Sequence, residues 1–245
     1  MGLFSSLGFS NIKNTEIHDE TGRFIPLTKI RNGKELTTFI KTIDPILHTS
    51  RDNSRAIKHV FSEILRNVLE HSNSEYGGNV CATYNKRRGK ISIGISDIGD
   101  GLKKTLAKHH KVNSDKEALK LALTPGISGV TNRIGGNYEN AGAGLFFTKC
   151  IAQSTHNHFL IYSGSAYYKL RYKKQKSIVN FNADPLEDHC AIKENLPFFP
   201  GTVVGIDINI KDESAFNNLI ERIGNAYRLG VKKEKKSFYK RINFT

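Results

Sequence analysis

The apolar residues of this chain fall into two rhythms. Ile57, Val60, Phe61, Ile64, Leu65, Val68 and Leu69 recur every three or four residues, a spacing that gathers them on one broad stripe of an amphipathic helix. Asp52, Asn53 and Ser54 stand ahead of them as N-cap candidates. Farther on, Ile91, Ile93 and Ile95 alternate with Ser92, Gly94 and Ser96, the period of a half-buried strand. The segment Val80–Tyr84 reads as its hairpin partner across the polar turn from Asn85 to Gly89. Helical spacing also predicts a helix from Lys34 to near Pro45, one opened by the capping box Ser114-x-x-Glu117 and running through Ala122, one from Leu145 to Ala152, and one from Glu213 to about Arg228. Further strands are predicted around Phe159–Tyr162, Tyr167–Tyr172, Ile178–Phe181 and Thr202–Ile210. Between Pro125 and Gly144 the glycines at 126, 129, 135, 136, 142 and 144 are too dense for a core element, and a mobile loop is expected. Residues 173–199 fit no pattern, and the tail after Gly230 is expected to be loosely held.

Composition narrows the class. The 245 residues suffice for one large domain with extensions, at 38% hydrophobic and 24% charged. No apolar run approaches the ~20 residues that cross a bilayer and no signal peptide is visible, so a cytoplasmic protein is expected. Cys81, Cys150 and Cys190 are odd in number and lack a CxxC pattern, which fits free thiols in a reducing compartment. The net charge of +14 is concentrated at Lys86–Arg88, Arg171–Lys176 and Lys232–Lys236. Such a surface attracts nucleic acid, anionic lipid or acidic proteins, although solvated loop tips and a basic tail account for it and no recognisable nucleic-acid-binding motif accompanies it. Met1-Gly2 followed by Ser6 matches the loose myristoylation pattern, a short one that often arises by chance.

Several polar residues interrupt the apolar rhythms at telling places. Glu63, Asn67 and His71 lie four apart on the flank of the first helix and drift toward its apolar face, where polar groups need partners. A ligand and its metal would supply them. Asp97 follows the alternating strand directly and opens Asp97-Ile98-Gly99-Asp100-Gly101. Gly142-Ala143-Gly144-Leu145 precedes a helix, presenting free amides and a positive helix end to an anion. Taken singly, Glu63 also reads as a solvated carboxylate and Asp97-x-Gly as a strand-ending turn. The lysine-bearing phosphate loop Gly-x4-Gly-Lys-Ser/Thr is absent.

Taken in order with Gly201-Thr202, these boxes resemble the GHKL superfamily of gyrase, heat-shock chaperone, histidine kinase and mismatch-repair ATPases, over roughly residues 50–210. The resemblance implies an α/β two-layer sandwich, helices on one face of a mixed β-sheet (the Bergerat-type ATP-binding fold). Residues 1–50 would be an N-terminal extension packed on the core, 51–212 the ATP-binding domain with a lid at about 102–141, and 213–245 a C-terminal helix and basic tail. It implies ATP and Mg²⁺ as cofactors: Asn67 on the metal, Glu63 as general base, Asp97 on the adenine amino group, and Gly99 and Gly101 letting the backbone approach the base. Gly142, Gly144 and Leu145 would bind phosphate, Thr202 would lie near the adenine, and His71 would touch phosphate or cap the helix end. Lys103, Lys104 and Arg133 are candidate phosphate contacts from the lid. The Glu-x3-Asn-x3-His spacing is similar to that of stand-alone anti-sigma-type serine kinases. Neither His48 nor His59 carries the flanking pattern of a phospho-acceptor histidine, and the transducer domain of gyrase and mismatch-repair relatives is missing. The expectation is an ATPase or a protein serine/threonine kinase, with a partner protein or phospho-acceptor and a possible homodimer. The alternative is a nucleic-acid-binding protein whose ATP site is regulatory or vestigial.

Overall fold

In the computed structural model, which describes residues 24–47, 51–135, 142–154, 156–171, 179–209 and 216–242, the alternating segments pair into one sheet and the helical segments cover it. Strand β1 (Phe24–Ile30) leads into helices α1 (Gly33–Leu47) and α2 (Arg51–His71), then the hairpin of β2 (Gly78–Asn85) and β3 (Lys90–Asp97). Helices α3 (Gly101–Ala107), α4 (Asp115–Ala122) and α5 (Gly144–Ser154) precede β4 (Phe159–Gly164) and β5 (Ala166–Leu170). A 3-10 turn (Pro185–Glu187), β6 (Cys190–Lys193), β7 (Phe199–Asn209) and α6 (Phe216–Ile242) follow.

The seven strands are ordered β1-β2-β3-β7-β4-β5-β6, and every neighbouring pair is antiparallel. The expected mixed sheet is therefore corrected. Strands β3 and β4 do run parallel, joined by the helical crossover, but β7 inserts between them and pairs antiparallel with both. Register then builds the core. Val80, Ile95, Val204, Ile161, Tyr168 and Ile192 stand opposite one another across six strands, on the face the helices cover. The other face carries Cys81, Gly94, Gly205 and Leu160 in the neighbouring row. Helix α2 is the centre of the helix layer, packed on α1, α5, α6, β2 and β3. Its Ile57, Val60, Phe61 and Leu65 are fully buried, each such side chain contributing ~1.5–3 kcal/mol.

Three expectations change. Val179–Phe181 is irregular rather than a strand, while Ile178 lies outside the described residues, as do the myristoylation pattern and most of the Arg171–Lys176 cluster. Strand β6 instead comes from the unassigned 173–199 region. The segment expected as a lid, about 102–141, contains α3 and the helix α4 that the capping box predicts, whose Leu106, Ala118 and Leu119 are buried. The tail after Gly230 is no loose end: α6 continues to Ile242, because its inner face has surface to cover. Leu219, Ile223, Ala226 and Tyr227 join the main core, and Gly230 is buried where a side-chain carbon would press on Pro125 and Ala183.

One buried ionic cluster ties α5 to the 182–190 segment. The ammonium of Lys149, with no exposed side-chain surface, lies 2.7 Å from Asp188 Oδ2 and donates to the Asn182 carbonyl. Gln153 and Asn182 donate to Asp188 Oδ1, and the Tyr168 hydroxyl sits 3.0 Å from Oδ2. Burial, with Asp188 beside it, pushes the Tyr168 phenol upward and keeps it a donor. A buried pair of this kind contributes little net stability, but breaking it strands a charge. Asp188→Ala is expected to cost roughly 3–5 kcal/mol, measured as a lower urea midpoint; an unchanged midpoint would show that Lys149 finds another partner.

Candidate functional site

Side chains alternate along a strand, so the apolar series Ile91, Ile93, Ile95 places Asp97 on the same inward face. At 2% exposure its carboxylate is buried, at the end of the sheet where the apolar rows give way to polar ones. Asp97 stands opposite Gly78, and Thr202 opposite Ser163. Above these residues, between the sheet end, α2, α3 and the N-terminus of α5, lies a cavity of about 280 Å³. Its lining includes Glu63, Asn67, His71, Asp97, Gly101, Gly142, Gly144, Leu145 and Thr202. Nine of the ten residues singled out from the sequence thus meet in one place. The tenth, Gly99, stands behind the wall: a Cβ there would collide with the Ser72 carbonyl, so only glycine allows the turn after β3 to close on the end of α2. The Asp100 amide seals that junction by donating to the same carbonyl at 2.6 Å.

Asp97 is electrostatically unfinished. Burial carries its pKa up to about 6, against the opposing pull of the Gly99 and Thr202 amides. Its Oδ1 has no hydrogen-bond partner, and a buried acceptor left unmade costs about 1–3 kcal/mol. A donor brought in by a ligand would remove that cost.

The flank of α2 forms the second wall. Glu63 Oε1 pairs with Arg66 at 2.5 Å, while Oε2 faces the start of α5, where a Cβ at Gly144 would come within 2.6 Å of it and 3.5 Å of Asn67 Nδ2. The missing side chain therefore keeps open the space between a carboxylate, an amide and a helix N-terminus. His71 closes α2; burial holds its imidazole pKa below the usual value, and its carbonyl accepts from Thr105 Oγ1 at 3.1 Å. The stripe also extends one turn the other way, to His59. That imidazole packs against the Phe147 ring at 5.9 Å, its pKa is lowered by burial although Glu63 pulls it up, and its Nε2 has no partner.

The described ends of the glycine-rich segment, Ile127–Gly129 and Gly142–Gly144, line the cavity. The two ends are pinned together, Gly126 N–H donating to the Gly142 carbonyl at 3.1 Å and Gly135 N–H to the Gly126 carbonyl at 2.9 Å. Gly142 takes a φ of 66° and leaves no room for a Cβ against the Ile127 backbone. His110 Nε2 holds the Ser128 carbonyl at 2.8 Å. Residues 136–141 of this loop lie outside the described residues. Lys103 and Arg133 are exposed, and Lys104 pairs with Asp100 at 2.7 Å; none of the three lines the cavity.

The donor set bears on a metal. No group of three His, Cys, Asp or Glu side chains gathers among the described residues, so the wall offers a cation the single amide of Asn67 beside Glu63. That suits a hard cation which takes most of its oxygens from phosphate and water.

No protein-family model matches this chain, and no curated protein matches it. Two contributors escaped the sequence. His59 was visible as the residue one turn before Glu63 on the same stripe. Ser163, whose Oγ donates to the Gly201 carbonyl at 2.8 Å and accepts the Leu102 amide at 2.9 Å, shows only as a hydroxyl breaking the Phe159, Ile161 alternation. It ties β4 to β7 and to the start of α3.

The charge on Asp97 has a measurable consequence. Its pKa rises from 3.8 unfolded to about 6 folded, so the stability it favours is complete below 3.8 and lost as the pH climbs through 6. Asp97→Asn is expected to stabilise the ligand-free protein at pH 8 by up to about 3 kcal/mol, with the difference vanishing below pH 4. Thermal melts across that range check it; a variant less stable at pH 8 would show that the carboxylate is satisfied.

Proposed function

We propose that this chain is a Mg²⁺-dependent ATP-binding protein of GHKL type with a Bergerat-type site, hydrolysing ATP or passing its γ-phosphate to a partner protein. The observation that carries the reading is Asp97: a buried carboxylate with a free acceptor oxygen, in the wall of a cavity also lined by a carboxylate, an amide and a helix N-terminus. The exocyclic amino group of adenine is a donor suited to Oδ1, and the ionised carboxylate is the form that accepts it. Thr202 and the Gly99 turn shape the slot for the ring. Across the cavity, amides from Gly142 to Leu145 at the head of α5 face the phosphates, favoured there by the helix dipole. Mg²⁺, held at Asn67, would offset phosphate charge.

Glu63 is then the general base. Arg66 occupies Oε1 and leaves Oε2 as the oxygen that takes a proton from a water or a protein hydroxyl near the γ-phosphate. His59 packs beside the same carboxylate and restricts its surroundings. Ile127–Gly129 and Gly142 border the cavity, so nucleotide there bears directly on the position of these residues and on whatever partner meets them.

Turnover of γ-labelled ATP with Mg²⁺, following both free phosphate and label on protein, tests the reading. Wild type is expected to bind, seen as nucleotide-dependent thermal stabilisation, and Asp97→Asn to lose that stabilisation. Glu63→Gln is expected to keep binding and to lose about 10²–10⁴-fold in turnover. Normal turnover in Glu63→Gln would remove it as the base, and no stabilisation of wild type by nucleotide would overturn the assignment.

A further inference from the structure

The C-terminal half of α6 has two unlike faces. Its inner face is committed: Val231 lies where a Cβ at Gly126 would come within 2.8 Å of its Cγ2 and one at Gly135 within 3.4 Å of its Cγ1, and Tyr227 packs on the Phe146 and Phe147 rings at 6.3 and 6.0 Å. These contacts hold α6 against the body of the protein around Tyr227 and Val231, at the neck of the glycine-rich loop. The outer face is cationic. Between Arg228 and Lys236 the sequence has five basic residues and one acidic, and Arg228, Lys232, Lys233, Lys235 and Lys236 are all exposed. Arg228, Lys232 and Lys236 follow one another at four-residue spacing, about 6 Å per step along one side of the helix. Lys232 and Lys236 have no acidic partner among the described residues, and Lys233 reaches Glu187 only at 4.0 Å with both side chains largely in solvent, a contact that contributes little.

We propose that this outer face of α6 is a docking surface for the phosphate backbone of a nucleic acid, bound without sequence preference. Chemistry selects this occupant over two others. An anionic membrane would take an amphipathic helix by its apolar face, and the apolar face of α6 is already buried in the core. An acidic protein surface would be anchored by Trp, Tyr or Arg in desolvated pockets; here two of the three residues in the row are lysines, Arg228 is engaged with Asn225, and Leu229 is the one exposed large hydrophobic of α6 among the described residues. Phosphates need only cations in a row, and the chain's net charge of +14 draws a polyanion from a distance. Among the described residues the row offers only cationic side chains, hence the absence of sequence preference.

Fluorescence anisotropy with a labelled 24-base-pair duplex tests this on the full chain over a range of KCl. Two variants of equal charge change are compared: Lys232→Glu with Lys236→Glu on α6, and Lys86→Glu with Arg88→Glu in the β2–β3 turn. Circular dichroism and thermal melts verify that both fold. Wild type is expected to bind at 50 mM KCl, equally for two unrelated sequences. The α6 variant is expected to weaken binding about 10-fold or more and to lower the slope of log Kd against log salt by about two, while the turn variant changes far less. No duplex binding at 50 mM KCl, or equal losses in the two variants, would overturn the proposal. So would displacement of the duplex by polyglutamate as effectively as by unlabelled duplex at equal charge, which would assign the face to an acidic protein.

Discussion

The two-residue period of β3 is the constraint on which the site rests. A strand cannot turn one side chain inward without turning every second one inward, so the row that builds the core at Ile91, Ile93 and Ile95 also delivers Asp97 beneath the helices. Thr202 and Ser163, opposite each other on β7 and β4, are polar at the same end of the sheet, where the cavity begins at Thr202. Burying Asp97 opposes folding, and the surrounding core offsets that cost. The carboxylate is retained in an environment that leaves Oδ1 unanswered.

Helix α2 supplies the complementary half. One side of it is the largest contribution to the core, and its flank carries His59, Glu63, Asn67 and His71 at successive turns. Packing that fixes Ile57, Val60, Phe61 and Leu65 fixes the flank as well, so the polar groups are positioned by apolar ones that never meet the cavity. The absence of a side chain at Gly144 then decides the distance between this flank and α5.

Helix α6 makes the wall of the cavity a matter for the whole chain. Tyr227 reaches the ring of Phe147, which borders both His59 and the cavity, and Val231 rests on the glycines that pin the loop. A buried glycine at 230 permits the approach. The basic residues that follow are therefore presented on a supported helix, with one face against the loop neck and the other in solvent.

Local periodicity in the sequence was enough to determine α2, β2, β3, α4 and α5, and the order of polar boxes was enough to nominate Glu63, Asn67, His71, Asp97 and the glycines, because each depends on neighbours within a few residues. Register and layer order were not legible. That β7 would slip between β3 and β4 and make every pair antiparallel depends on contacts more than a hundred residues apart, as with Lys90 and Asp207. The basic stretch after Gly230 reads as a loose tail because its charges dominate locally; only Pro125, Gly126 and Gly135, brought beneath it by the fold, give its few small and apolar residues something to bury. The free oxygen of Asp97 was decided in the same way, since whether a carboxylate is satisfied depends on which distant amides and side chains the tertiary structure brings to it.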